Sequence, residues 1–169
     1  ADEVVEKYLT AIGGREALGK LTSRKSTGTV TLEVPGGVLS GPVELYNKAP
    51  NKSRAAMRLD LTAVGGPGEM VVEQIFDGKM GYSLNSMQGD SDITGHQLDN
   101  MRNGAFPTPL LHYKDGGFTL EVLPKEKVNG REAIVVRVTP KTGTASRVFF
   151  DAETFLVVRT IAMIGSPTG

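Results

Sequence analysis

Alternation of apolar and polar residues with period two marks much of the chain as β-structure. The clearest case is the stretch 69–84, EMVVEQIFDGKMGYSL, in which two apolar-rich runs flank Asp77-Gly78. An Asp-Gly pair between such runs favours a two-residue hairpin turn, because both residues adopt positive φ at little cost. We therefore predict a hairpin here, at the centre of a long antiparallel sheet.

Similar strands are predicted on both sides of this hairpin. In the segment 53–61 one face is apolar and the other polar, and the apolar positions are Ala55, Met57, Leu59 and Leu61. Pro42 indicates an edge or irregularity at its own position, since proline has no backbone N–H. Asn129-Gly130 favours a type I′ turn. About nine or more strands are expected, over 27–34, 38–48, 53–61, the two arms of 69–84, 118–127, 131–139, 145–150 and 155–164.

Two principal helices are predicted from three- and four-residue apolar spacing and from their end signals. The first begins with Asp2 as its N-cap and ends at Gly13-Gly14. Its buried face consists of Val4, Val5, Tyr8, Leu9 and Ile12. A further short helical turn is expected over 15–21, and the two prolines of 106–111 keep that apolar segment out of regular sheet.

The second principal helix has a fuller set of signals at its ends. Thr94 and Gln97 fit a capping box, and Gly104 is placed to end the helix. Ile93 and Leu98 fit the accompanying hydrophobic staple. The residues predicted to face inward are Leu98 and Met101. This helix is expected to lie across the sheet.

Length and charge exclude several classes of protein. At 169 residues the chain suits one domain that buries its own core without disulfides or metals. Nineteen basic and nineteen acidic residues cancel, so nucleic acid is not an expected partner. No apolar run approaches the roughly 20 residues that span a bilayer. The chain opens on a helix without a charged n-region, as it would after removal of a signal peptide.

Three local patterns together resemble the LolA-like family of periplasmic lipoprotein carriers and outer-membrane lipoprotein-sorting relatives. They are the strand end 46–52, YNKAPNK, the central turn 76–79, FDGK, and the late hairpin 150–154, FDAET. The opening 8–14, YLTAIGG, is similar to the start of a bacterial branch of the group. The family tends to place aromatic residues, including tryptophan, near Arg54, whereas this chain has Ala55 and Ala56 and no tryptophan.

The resemblance implies an α+β fold that is mostly antiparallel: a strongly curved, half-open β-barrel whose open side is plugged by the N-terminal and mid-chain helices. It implies one domain over 1–169 and a further strand pair beyond 164–169, so a fragment of a longer protein is expected. It also implies a monomeric periplasmic protein that binds lipid or lipidated protein and contacts membranes transiently. Acyl chains would lie in an apolar cavity between sheet and helices.

Candidate residues for the lining of this cavity are apolar side chains from the predicted sheet, the mid-chain helix and the proline segment. They are Met57, Leu59, Met80, Tyr82, Leu98, Met101, Phe106, Leu110 and Leu111. The six methionines, Met163 among them, could supply an adaptable lining, although methionine also fills ordinary cores.

Catalytic and metal-binding signatures are sparse. Of the two histidines, His96 falls in a helical first turn, whereas His112 follows the proline segment and is the better candidate for a hydrolase. An oxygen-rich cation site would need Asp90, Asp92 and Asp99, but their spacing lacks the pattern of a calcium loop. A glycosidase pair would have to come from Glu73, Glu121 and Glu132, which alternation assigns to outward strand faces.

The leading hypothesis is therefore a non-enzymatic protein without cofactor or metal that binds or transports a hydrophobic ligand in the bacterial envelope. A second hypothesis is an interaction or assembly domain with the same fold but a filled core, attached to a larger envelope protein. A third is a hydrolase that uses His112.

Overall fold

The computed structural model describes residues 1–162, which form three α-helices and ten β-strands. In chain order these are α1 (Asp2–Ala11), α2 (Arg15–Gly19), β1 (Ser23–Val34), β2 (Gly37–Lys48), β3 (Lys52–Asp60), β4 (Glu69–Phe76), β5 (Gly81–Asn85), β6 (Ser91–Ile93), α3 (Gly95–Asn103), β7 (Thr119–Val128), β8 (Arg131–Thr139), β9 (Ser146–Asp151) and β10 (Val157–Ala162). All paired strands are antiparallel and form two sheets, so the predicted α+β class is confirmed. The end of the strand predicted over 155–164, with Met163, lies outside the described residues.

The chain divides into two compact units, each with its own sheet. The six-stranded unit comprises Thr22–Thr94, and the four-stranded unit comprises Ala1–Leu21 and the described residues from Gly95 to Ala162. The predicted single half-barrel domain, plugged by two helices, stays a prediction. Within the described range no helix is both long enough and apolar enough to cross a membrane.

The six-stranded unit is a meander in which every strand pairs with the next one along the chain, in the order β1 to β6. Its apolar face is built around Leu39, Leu59 and Leu61, which are buried. Five half-buried residues pack against them: Val30, Val34, Met57, Val64 and Met70. Arg54, Arg58 and Asp60 are exposed. The predicted two-faced strand over 53–61 is therefore confirmed.

The central hairpin exists, but its predicted two-residue turn is wrong. Phe76 pairs with Gly81, so the loop contains the four residues 77–80. The Asp77 carboxylate accepts hydrogen bonds from the backbone N–H groups of Lys79 at 2.7 Å and Met80 at 2.8 Å. Gly78 has φ +105°. The aspartate side chain thus satisfies the loop backbone itself, which favours the longer turn over a tight Asp-Gly turn.

Close contact between β2 and the backbone of β3 explains why position 41 is glycine. Pro42 pairs with Thr29 of β1, whereas the ladder between β2 and β3 starts only at Val43, so the predicted irregularity at Pro42 is confirmed. A Cβ atom at position 41 would lie 1.7 Å from the carbonyl oxygen of Arg58. Only glycine allows this approach.

The four-stranded unit has the strand order β10-β9-β8-β7 and is covered on one face by α1. Val5 and Leu9 of α1 are buried, as predicted, and Tyr8 packs edge-on against Phe150 with ring centroids 5.4 Å apart. Phe106, Leu110 and Leu111 are also buried. On the other sheet face Ala133, Val135 and Phe149 form a second buried cluster. Strands β8 and β9 are therefore buried on both faces.

The predicted cap of the first helix is wrong. Ala1 is the N-cap and Asp2 is the first helical residue. The Asp2 carboxylate instead accepts a hydrogen bond from the Tyr113 hydroxyl, which lowers the pKa of Asp2. Burial, and then this bond, raise the pKa of Tyr113 to about 12. Asp2 therefore ties α1 to the segment after the prolines, a partner 111 residues away that local pattern cannot indicate.

Helix α3 begins after Thr94 and ends before Gly104, at the predicted positions, while its side-chain cap stays a prediction. It contains no fully buried residue, and polar contacts hold it. Asn100 accepts a hydrogen bond from the Thr144 N–H at 2.7 Å and donates one to the Thr144 hydroxyl at 3.1 Å. Asn103 donates to the Thr142 carbonyl at 2.7 Å.

The predicted turn at Asn129-Gly130 and the predicted irregular proline segment are both present. Asn129 and Gly130 have φ +50° and +82° and join Val128 to Arg131, which confirms the type I′ turn. The segment 106–111 stays out of both sheets and leads into a 3₁₀ turn, Pro109–His112. Here the Thr108 side chain accepts a hydrogen bond from the Leu110 N–H.

We expect Gly41→Ala to lower the free energy of unfolding by about 3 kcal/mol or more, because the new methyl group must displace the backbone of β3. Gly28→Ala is the matched control, since a Cβ there would meet the Val43 side chain at an ordinary 3.8 Å. Urea denaturation of both variants measures the difference. Equal stability of the two variants would contradict the close approach of β2 and β3.

Candidate functional site

A cavity of about 500 Å³, widely open to solvent, lies in the six-stranded unit, where β1 and β3 begin and β2 and β4 end. Each of the four strand ends contributes three consecutive residues to its lining, namely 23–25, 46–48, 52–54 and 75–77. This volume falls within the range of roughly 300–1,000 Å³ that is usual for small-molecule pockets. The accessible wall is mainly apolar.

The strand register brings Lys25, Tyr46, Arg54 and Ile75 into one row across the sheet. Residues directly opposite each other in a ladder lie on the same face, so these four side chains are neighbours. The Tyr46 ring is central: the Lys25 Nζ lies 5.1 Å and the Arg54 guanidinium 5.4 Å from its centroid. Both distances suit cation–π attraction.

Two glutamates of the adjacent row neutralise these cations. The Glu44 carboxylate accepts a hydrogen bond from the Tyr46 hydroxyl at 2.6 Å and pairs with Lys25 at 2.9 Å, and both contacts lower its pKa. Glu73 accepts two bonds from Arg54, at 2.5 and 2.9 Å, which lower its pKa. The network therefore holds Tyr46 and Arg54 in place, with both carboxylates ionised.

A further basic pair stands at the outer end of the cavity. Lys48 and Lys52 lie directly opposite each other as the last pair of the ladder between β2 and β3. Together with Arg24, Lys25 and Arg54 they make five basic lining residues against one acidic lining residue, Asp77. The cavity thus combines an apolar wall with a rim of positive charge.

None of the nine residues proposed from sequence lines this cavity. In the six-stranded unit Leu59 is buried and Met57 half-buried, while Met80 and Tyr82 are exposed. Tyr82 pairs with Ile75, which places it on the sheet face opposite to Met57 and Leu59. In the four-stranded unit three candidates are buried and two on α3 are half-buried; these are Phe106, Leu110, Leu111, Leu98 and Met101. Their part in ligand binding stays a prediction.

The residues that do line the cavity were visible in sequence only as family patterns. Six of them fall within 46–52 and 76–79, the stretches that carry the family resemblance. The sequence carries a second signal for this site. Lys48 and Lys52 flank the short turn 49–51, which places like charges opposite each other across a hairpin.

None of the residues considered for catalysis lines the cavity. His96 and His112 are exposed. Each of the three strand glutamates is ion-paired to a basic residue; the pairs are Glu73 with Arg54, Glu121 with Arg137, and Glu132 with Lys125. Within residues 1–162 no group of three or more histidine or acidic side chains could hold a metal, so Asp90, Asp92 and Asp99 form no such cluster.

A second, polar cavity of about 300 Å³ lies in the four-stranded unit between two turns, next to Arg131, Asp151 and Glu153. The Asp151 side chain is 3% exposed and pairs with Arg131 at 3.0 Å. It also accepts bonds from the Thr154 N–H at 2.9 Å and the Glu153 N–H at 3.1 Å. The bond from the Thr154 N–H is the first cause of a lowered pKa at Asp151. Since its oxygens are engaged by the turn, Asp151 is a structural residue.

The sequence and its structure were compared with known proteins. No protein-family model and no curated protein matches the chain. Among solved structures, a domain from Vibrio parahaemolyticus assigned as an outer-membrane lipoprotein-sorting protein has a TM-score of 0.52 at 10% identity, over 94% of this chain and 72% of that one. A LolA superfamily protein from Nitrosomonas europaea has a TM-score of 0.50 at 12% identity, over 100% and 73%.

A DUF1329 family protein from Desulfovibrio piger is similar to the same degree, with a TM-score of 0.50 at 14% identity over 94% of this chain and 72% of that one. These similarities show that the chain has a LolA-like fold. The resemblance inferred from 46–52, 76–79 and 150–154 is thereby confirmed at the level of fold.

We expect stability to fall as pH is lowered from about 5 toward 2, in part through Asp151. Its pKa is lower in the folded protein, so its contribution is present above the unfolded pKa of about 3.9 and is lost as pH falls through the folded pKa. Asp151→Asn should lower stability at pH 7 and reduce this acid slope. Chemical denaturation at several pH values measures both.

Asp115→Asn, at an exposed aspartate of the same unit, is the control for the lost negative charge. It should leave the slope close to that of the wild type. If the two variants gave the same slope, Asp151 would not be the group that the turn stabilises.

Proposed function

We propose that the chain binds a hydrophobic ligand, a lipid or the acyl chains of a lipoprotein, in the bacterial periplasm and catalyses no reaction. The observation that carries this proposal is the cavity of about 500 Å³ with a mainly apolar wall at the ends of β1–β4. A cavity of that size whose accessible wall is mainly apolar is the usual form of a site that binds by burial of apolar surface.

The fold supports the same proposal. Of the proteins with this fold, one is assigned to outer-membrane lipoprotein sorting and another to the LolA superfamily. Function does not follow from fold alone, because one fold hosts many activities. The cavity supplies the local feature that the fold analogy lacks.

Affinity can arise here without a catalytic or polar motif. Burial of an acyl chain contributes about 0.8 kcal/mol per CH₂ group before the entropy lost on binding is subtracted. Tyr46 and Ile75 present carbon surface at the cavity. The fixed ion pairs around them leave Glu44 and Glu73 engaged with basic side chains, which is a poor arrangement for a general acid or base.

The competing hypotheses make different predictions for the purified protein. An assembly domain with a filled core would take up no lipid, and a hydrolase centred on His112 would lose its activity on His112→Ala. Native mass spectrometry of protein exported to the periplasm of an expression host would reveal co-purified lipid under the proposed function.

The location of the ligand can be tested with a dansyl-labelled undecanoic acid, whose fluorescence rises in apolar surroundings. We expect Ser23→Phe, which adds an aromatic ring at the cavity on the sheet face of Tyr46 and Lys48, to weaken binding of this probe about tenfold or more. Ser40→Phe adds the same ring to an exposed position of β2 and should bind like the wild type.

Leu98→Asp in α3 discriminates between this cavity and the residues proposed from sequence. A loss of probe binding in Leu98→Asp but not in Ser23→Phe, with both variants folded by circular dichroism, would move the ligand to the α3 surface. No probe binding and no co-purified lipid in the wild type would overturn the proposed function.

A further inference from the structure

The ladder between β2 and β3 ends in two like charges. Lys48 and Lys52 are directly opposite each other, on either side of the turn 49–51, and both are exposed. Opposite positions of an antiparallel pair have Cβ atoms only about 5 Å apart, and like charges placed there are destabilising. A carboxylate at either position would have formed a favourable pair instead.

The nearby carboxylates are engaged elsewhere. Glu44 bonds to Tyr46 and Lys25, and Glu73 bonds to Arg54. Asp77 influences Lys52 electrostatically, but its oxygen accepts two backbone hydrogen bonds within its own loop. Among the described residues Lys48 makes no ion pair. The charge of the lysine pair is therefore only partly compensated by the protein.

A third polar group extends this row. Ser23 of β1 lies directly opposite Lys48, so its hydroxyl is on the same face as the two ammonium groups. Three donors on three adjacent strands can surround the oxygens of one carboxylate or phosphate group.

The apolar surface begins one row farther in. Tyr46 and Ile75 belong to the neighbouring row on the same sheet face, two residues along each strand and so about 7 Å from the lysine row. Polar donors at the strand end and carbon surface behind them match a molecule with a charged head and an apolar tail.

We infer that this cavity binds an anionic amphiphile, with its carboxylate or phosphate head between Lys48 and Lys52 and its apolar chain along Tyr46 and Ile75. The inference rests on the proposed function, since it specifies the ligand class for the same cavity. An acidic protein segment would form ion pairs with the lysines but would not cover the apolar wall.

Two probes with the same tail test the head group: dansyl undecanoic acid and its uncharged methyl ester. We expect the wild type to bind the acid about tenfold more tightly than the ester, the size of effect that a charge-assisted hydrogen bond gives. The double variant Lys48→Gln/Lys52→Gln should bind the acid as weakly as the ester, with affinity for the ester unchanged.

The control is Lys125→Gln/Lys127→Gln, which removes the same charge from β7. It should retain the preference for the acid. The Tm without ligand gives an independent readout, because removal of the Lys48–Lys52 repulsion should make the first double variant melt at a higher temperature than the wild type. The wild type is the reference for this readout, since the control variant loses the ion pair of Lys125 with Glu132.

The outcomes separate the two levels of the proposal. If the wild type binds neither probe, the proposed function fails together with this inference. If both probes bind equally, and the lysine substitutions change neither, hydrophobic binding stands and the anionic ligand class is wrong. Displacement of the acid probe by inorganic phosphate or hexaglutamate at concentrations near those of the probe would also overturn the inference, since a site for anions or acidic peptides needs no tail.

Discussion

The antiparallel register of β1–β4 determines the chemistry of the candidate site. It brings residues from four separate segments into rows, so that Tyr46 lies between Lys25 and Arg54, and Lys48 lies opposite Lys52. A shift of one residue in any of these strands would move its side chains to the other face. The close passage of Gly41 over Arg58 and the ion pair between Arg54 and Glu73 both oppose such a shift.

Most elements of the fold could be predicted because their signals are local. Period-two alternation located the strands, and the spacing of Val5 and Leu9 located the buried face of α1. Two local predictions were wrong, each at an aspartate whose carboxylate can accept hydrogen bonds from more than one donor. Asp77 bonds to its own loop and lengthens the turn, and Asp2 bonds to Tyr113 instead of capping α1. Sequence shows that these carboxylates can accept hydrogen bonds, but not which donors lie nearby.

The site was harder to predict than the fold for a related reason. Candidates such as Leu59 and Leu111 were chosen because they are apolar, and the structure buries both in cores, where apolar residues are most often found. The cavity is instead lined by strand ends that include five basic residues. Their proximity follows from the exact register between successive strands, which composition and periodicity do not encode.

Burial of β8 and β9 on both faces has a consequence for how the four-stranded sheet selects its alignment. Adjacent residues of these strands, Val135 with Val136 and Phe149 with Phe150, are all fully buried. A misaligned pairing would still bury apolar side chains on both faces, so hydrophobicity discriminates poorly between alignments. Asp151 has no equivalent in a shifted arrangement, because its buried carboxylate must meet Arg131 and the N–H groups of the turn. The buried charge of Asp151 therefore selects one alignment of this sheet, whereas its apolar strands alone do not discriminate between alignments.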